Sequence, residues 1–211
     1  MKYKNYAISV MAFSMPLLGM NNQPVVDLKS VGRVKLTSHD HFKFLESNEI
    51  NPLKFFIEPI AISLNYAQKN FGFSSISIVG ISGGGWTATL YSAIDTRISK
   101  SYPVAGSLPL YLTFSSLGHY EWSLPELNHV SNYLELYIMG SYGGGRKQLQ
   151  VLNKYDPCCF SGVGYQTYEN EVKKAVSLLG KGGFEVYLDD THKDHKISDN
   201  ALNIIINDLE M

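Results

Sequence analysis

The stretch GISGGG, Gly80 to Gly85, sets one hydroxyl among four glycines. It satisfies G-x-S-x-G through Gly80, Ser82 and Gly84, the pattern that places a serine on a sharp strand-to-helix turn. Glycines are expected on either side because a Cβ there would collide with neighbouring backbone. Such a turn lifts the Ser82 hydroxyl above a sheet, while the Gly83 N–H and the start of the next helix face any negative charge that develops on a substrate. A serine hydroxyl is a poor nucleophile near neutral pH until a base takes its proton and an acid fixes the tautomer of that base. DDTHKDHKIS offers His192 and His195 as bases, and KYDPCCF offers Asp156 next to the adjacent Cys158 and Cys159. Taken alone, Asp156 and Pro157 also read as an ordinary turn initiator. The glycine turn alone also suits a phosphate-binding βα unit.

A nucleophile on this turn needs a strand before it and a helix after it. Ser75 to Val79 is a short β-rich run, and Trp86, Leu90 and Ile94 recur four apart on one helical face. Further strands are expected at Tyr6 to Phe13, Ser101 to Ala105, Gln148 to Asn153 and Phe184 to Leu188. Pro59 suits the first turn of a helix that Gly72 stops. Tyr168, Val172, Ala175, Val176 and Leu179 form a second helical stripe. Ser198 caps a last helix with Ala201, Ile204, Ile205 and Leu209 on its apolar face. About five strands alternating with helices imply an α/β fold, a mainly parallel sheet covered on both faces. The length implies a single domain over 1–211. Leu108 to Gly145 is rich in aromatics without a clear period, and the segment up to about residue 50 is polar and poorly periodic.

With these elements around the serine motif, the chain resembles the α/β-hydrolase superfamily of serine esterases and lipases, from about Tyr6 to its C-terminus. That family orders its triad as serine, acid and histidine, with the acid after a late strand and the histidine after the last one. The resemblance implies Ser82 as nucleophile, Asp156 as acid and His195 as base, with His192 as the alternative base. It assigns Gly80, Gly83 and Gly84 to the elbow and oxyanion site, and implies cleavage of a small-molecule carboxylic ester through an acyl-enzyme, without a cofactor. Asp189, Asp190 and Asp194 lie too near the histidines in sequence for the usual third member and suit a loop-orienting role. No HG-type oxyanion motif precedes Ser82. Ser14 to Gly19 resembles the segment after the family's fourth strand; in that register the chain lacks the first three strands and half of the oxyanion hole, and is a weak or inactive relative. In the other register it is a compact hydrolase, cutinase-like in scale, with Tyr6 to Phe13 as first strand and Met15 to Gly19 as oxyanion loop.

A net charge of -1 gives no attraction for nucleic acid or an anionic membrane. The only two cysteines are adjacent, so no disulfide is expected, and both read as buried apolar residues beside the acid loop. His39, His41, His192 and His195 show no recognised ligand spacing, and no metal is expected. GSYGGGRK lacks the G-K-[ST] ending of a phosphate loop and reads as a flexible surface turn. The opening MKYKNYAISVMAFSMPLLGM begins with lysines and turns apolar like a signal peptide, but Pro16 interrupts it and no small-x-small site follows. Its apolar run falls short of the roughly 18 residues that span a bilayer. The expectation is a cytoplasmic protein without stable membrane insertion.

Overall fold

The computed structural model describes residues 8–113 and 120–210. A hairpin comes first, β1 (Val25–Leu28) paired antiparallel with β2 (Gly32–Lys35). It lies within the stretch whose polarity hid any period, because each strand is four residues long and only Val26 and Val34 reach the core. A 3-10 helix, His39–Leu45, follows, and then α1 (Lys54–Phe71). This helix starts five residues before Pro59, which sits inside it and not in its first turn. The line Phe56, Ile60 and Ala67 is buried against the core, so packing outweighs the one backbone hydrogen bond that proline removes. Gly72 ends the helix at φ 61, as expected of a left-handed cap.

From there strands and helices alternate: β3 (Ile76–Ile81), α2 (Gly83–Ile94) and β4 (Ile98–Val104). Among its described residues the aromatic stretch holds a 3-10 turn at Leu110–Leu112 and three α-helices, α3 (Tyr120–Ser123), α4 (Pro125–Val130) and α5 (Tyr133–Ser141), the last started by a capping box between Asn132 and Glu135. Then come β5 (Lys147–Asn153), α6 (Glu169–Leu178), β6 (Gly183–Asp189) and α7 (Asp199–Glu210). The sheet order is β3-β4-β5-β6, every pairing parallel. The chain is therefore α/β with a small parallel sheet. Of the expected first strand, residues 8–13 are exposed and irregular, and no strand among the described residues pairs with them; its earlier residues lie outside the described ones.

Both faces of the sheet are covered. Trp86, Leu90, Tyr137, Leu152, Val172 and Phe184 pack together under α2, α5 and α6. On the other face Tyr102, Val104, Leu149 and Val151 meet Ala201 and Ile205 of α7. β5 shows the two-residue alternation that this requires, with Leu149 and Val151 facing α7 and Leu152 facing the opposite way. Two of its residues on the α2 side are buried glutamines: Gln150 donates to Ser107 O at 2.9 Å and accepts from the Tyr168 hydroxyl at 2.7 Å, whereas Gln148 accepts the Ser101 hydroxyl at 3.3 Å and leaves its amide nitrogen, Nε2, without a partner among the described residues.

The GSYGGGRK segment is not a flexible turn. Arg146 is buried and, among the described residues, bonds only backbone carbonyls: Nε reaches Ile98 O at 3.0 Å, and Nη1 reaches Met139 O at 2.8 Å and Tyr142 O at 2.9 Å. Nη2 reaches Ser92 O. The glycines let the chain wrap a guanidinium, with Gly143 at φ 124 and Gly145 at φ 75. Among the described residues, no helix is long and apolar enough to cross a membrane.

Candidate active site

β3 ends at Ile81 and α2 begins at Gly83, so Ser82 is the single residue between them. Its backbone stands at φ 57, ψ -124. A non-glycine residue pays roughly 1–3 kcal/mol for such a conformation, which persists only where its surroundings fix it. Two backbone bonds do so here: Ser82 N–H donates to Val104 O at 2.9 Å, and Trp86 N–H donates to Ser82 O at 2.8 Å. Trp86 is buried under the elbow and spends its indole N–H on the Tyr133 hydroxyl at 2.9 Å.

The glycines divide the work differently from the motif. A Cβ at Gly80 would lie 2.2 Å from Gly84 O, so that glycine is obligatory. A Cβ at Gly84 would meet only Met15 Sδ, at 4.0 Å, so the expected collision is absent there. The second tight position is Gly85, where a Cβ would stand 2.6 Å from Val104 O and 2.9 Å from Gly106 Cα. The helix starts hard against the turn after β4, and the motif carries no sign of that neighbour.

Asp156 follows β5 by three residues and is 7% exposed. Its Oδ1 accepts the N–H of Cys158 at 2.8 Å and of Cys159 at 3.3 Å; its Oδ2 accepts Asn153 Nδ2 at 3.2 Å and faces His195 Nδ1 at 2.7 Å. The carboxylate therefore curls the following chain around itself, and the two cysteine side chains meet in a disulfide, Cys158–Cys159. The expectation of two separate thiols is corrected: the turn under Asp156 draws the adjacent side chains together. Cys158 is exposed and Cys159 is buried.

His195 lies between β6 and α7. Facing a carboxylate, its Nδ1 carries the hydrogen of the neutral ring, which leaves an acceptor lone pair at Nε2. Nε2 makes no hydrogen bond among the described residues, and the side chain is 25% exposed. His192 is turned into its own loop. Its Nδ1 accepts the Asp194 N–H at 3.1 Å, and its Nε2 lies 3.3 Å from Asp189 Oδ2 in a direction too poor for a hydrogen bond. Asp189 accepts the Thr191 N–H at 3.0 Å, the Thr191 hydroxyl at 2.6 Å and the Ser198 hydroxyl. Burial pushes its carboxyl up, but the Ser198 and Thr191 hydrogen bonds outweigh that and hold it below the usual range. Asp189 thus orients the loop, and Ser198 also caps α7 by accepting the Ala201 N–H at 3.0 Å.

Parallel strands put these residues at one edge. Ser82 follows β3, Asp156 follows β5 and His195 follows β6, all at carboxyl ends. With β4 between them, β3 and β5 run about 10 Å apart.

No protein-family model matches the chain, and no curated protein matches it. Solved structures do. It superposes on a glucuronoyl esterase from Solibacter usitatus with a TM-score of 0.57 at 10% identity, over 79% of this chain and 52% of that one. A CE15 glucuronoyl esterase from Teredinibacter turnerae gives 0.56 at 14% identity, over 75% and 46%. An esterase from Pyrococcus furiosus gives 0.50 at 12% identity, over 76% and 61%. The chain has the α/β-hydrolase fold. It spans about half the length of the two glucuronoyl esterases.

In this α/β-hydrolase fold a second histidine–carboxylate pair borders the elbow, and sequence reasoning missed it as a pair. Glu121 is 1% exposed, and both of its oxygens lie 3.2 Å from His39 Nδ1. His39 Nε2 donates to Pro16 O at 2.8 Å. Both ring nitrogens face acceptors, so the imidazolium form satisfies both. Burial lowers the His39 pKa, but Glu121, Pro16 O and the nearby Asp40 together raise it above 6.5. The bond to Pro16 pins the Met15 turn against the elbow: a Cβ at Gly83 would lie 3.1 Å from Met15 Cε and 3.3 Å from Glu121 Oε1. The available signal was a lone glutamate in the apolar run YEWSL, since a buried carboxylate needs a partner. His39 and His41 do not join the other histidines; His41 Nδ1 accepts the Thr37 N–H at 3.1 Å.

Proposed function

We propose that this protein is a serine hydrolase that cleaves carboxylic esters of small molecules. The observation that carries the reading is a strained serine and a pair of buried Asp156 with half-buried His195 at the same carboxyl edge of a parallel sheet. In the reaction, His195 Nε2 takes the Ser82 proton as Oγ attacks the ester carbonyl. The Gly83 N–H binds the resulting oxyanion, and the imidazolium returns the proton to the departing alcohol. Water, deprotonated by the same nitrogen, then releases the acid from Ser82. Asp156 keeps the hydrogen on Nδ1 and stabilises the imidazolium, and the Asn153 amide and two cysteine N–H groups keep Asp156 in place. These steps call for no cofactor.

The Met15 turn packs beside Gly83, within reach of the oxyanion site, while residues 8–13 do not form the first strand that the compact register expects. His192, with its nitrogens directed into its own loop, is the weaker base. The esterases that share the fold favour an ester over other acyl substrates.

The test is fluorophosphonate labelling of the purified chain, read by intact mass, beside Ser82→Ala and His195→Ala. Labelling of the wild type that disappears in both variants is expected. A folded wild type that stays unlabelled would overturn the assignment, and labelling that survives Ser82→Ala would move the nucleophile elsewhere.

A further inference from the structure

Three potential metal ligands converge at the acid loop. One carboxylate oxygen of Asp156, Cys158 Sγ and one imidazole nitrogen of His195 all lie within 4.8 Å of one another. Around a tetrahedral zinc ion such donors stand about 3.4–3.6 Å apart, given zinc–ligand bonds of about 2.0–2.3 Å. Small rotamer changes close that difference. An O, N and S donor set with a fourth position open to water is within zinc chemistry. Asn153 Nδ2, on Asp156 Oδ2 at 3.2 Å, adds the outer hydrogen bond that steadies a carboxylate ligand.

One bond stands in the way. A metal is ligated by thiolate, and Cys158 Sγ is bonded to Cys159. We propose that opening the Cys158–Cys159 disulfide turns Asp156, Cys158 and His195 into a binding site for zinc. A dithiol reductant supplies the chemistry: its two thiols become a disulfide, the Cys158–Cys159 bond breaks, and two electrons and two protons leave two cysteine thiols. Zinc then displaces the proton of Cys158. The two cysteines are not equivalent, because Cys158 is exposed and in the cluster while Cys159 is buried. Resting on the hydrolase reading above, zinc at this site takes the acid and the base out of service, so the reduced protein is zinc-inhibited and the oxidised one is not.

The experiment measures zinc binding by competition with a chromophoric chelator, using the full chain as purified and after reduction. The reductant is a phosphine, which takes its oxygen from water, leaves two thiols, and is removed before zinc chloride is added. Disulfide state is read from intact mass. Stoichiometric zinc is expected on the reduced wild type, on Cys159→Ser without reduction, and on reduced Ser82→Ala. None is expected on the oxidised wild type, or on Cys158→Ser in either state. Fluorophosphonate labelling of the reduced wild type should slow about 10²-fold or more with zinc, the contribution of a general base, and recover with a chelator. Absence of zinc from both the reduced wild type and Cys159→Ser overturns the site, as does equal binding by Cys158→Ser. The wild-type comparison needs no variant to fold. Zinc binding without any labelling would keep the site and remove the hydrolase reading, whereas labelling without zinc binding would do the reverse.

Discussion

Two hydrogen-bonded histidine–carboxylate pairs stand among the described residues, one against the elbow and one in the loops after β5 and β6, and their rings are wired differently. His195 gives Nδ1 to Asp156 and keeps Nε2 free of any bond among the described residues. His39 gives Nδ1 to Glu121 and Nε2 to Pro16 O, so nothing on its ring is left to act. Both carboxylates are buried; the difference lies in what the far nitrogen meets. A pair with one open nitrogen can move a proton, and a pair with both nitrogens engaged can only hold parts together. Here the parts are the Met15 turn and the residue after Ser82.

The largest test of that contrast is Asp156→Asn. The asparagine carbonyl can keep the bonds from the cysteine amides while its NH₂ loses the one from Asn153, so the fold should survive with a melting temperature a few degrees below wild type. Its NH₂ would face His195 Nδ1, strip that nitrogen of its hydrogen and point the wrong tautomer at Ser82. A fall of about 10⁴-fold in kcat is expected, read as turnover of a chromogenic short-chain ester. A loss under tenfold would mean that His195 does not depend on Asp156.

His39→Ala should invert the pattern. It leaves Glu121 buried without its cation, a change that costs about 3–5 kcal/mol, so thermal stability falls sharply. For a chain of this size that corresponds to roughly 10 °C in Tm, with labelling of the surviving folded fraction largely retained. The pair also predicts a pH dependence. The His39 pKa is raised in the folded state, above its usual 6.5. Its contribution is fully present below the unfolded value and is lost as pH rises through the folded one. Wild-type Tm should therefore decline over that window, and His39→Gln, neutral throughout, should lack the decline. Parallel pH profiles for the two proteins would break the comparison, because His39 would then carry no charge that matters.

How much of this was legible follows the range of the interactions. The elbow is local, since a β-rich run, G-x-S-x-G and a helical stripe lie within twenty residues, and Ser82 stood out from sequence alone. Asp156 and His195 follow from the resemblance, whose triad order sets the acid after a late strand and the histidine after the last one, and the structure brings the two side chains within 2.7 Å. Their partner groups could not be placed. Asn153 and the cysteine amides depend on a turn shaped by the Asp156 side chain, and the disulfide follows from that same turn. The Glu121–His39 pair joins residues 82 positions apart, and no periodicity reports such a contact. Residues 8–13 of the expected first strand failed for the converse reason: their β propensity is real, but a strand needs a neighbour, and none among the described residues pairs with them.

The smallest expected effect lies at the elbow itself. Gly84 belongs to the motif, and family reasoning marks it as untouchable. Yet a methyl there meets only Met15 Sδ at 4.0 Å, an ordinary contact, and its backbone is helical. Alanine in place of glycine inside a helix is worth up to about 1 kcal/mol, so Gly84→Ala should raise Tm by a few degrees and leave labelling of Ser82 intact. Gly80→Ala, one turn away and 2.2 Å from Gly84 O, should not fold with the elbow in place. Loss of labelling in Gly84→Ala despite a raised Tm would mean that the Met15 turn must close further onto the elbow when substrate binds. The His39–Glu121 pair would then be holding a moving wall of the site and not a fixed one.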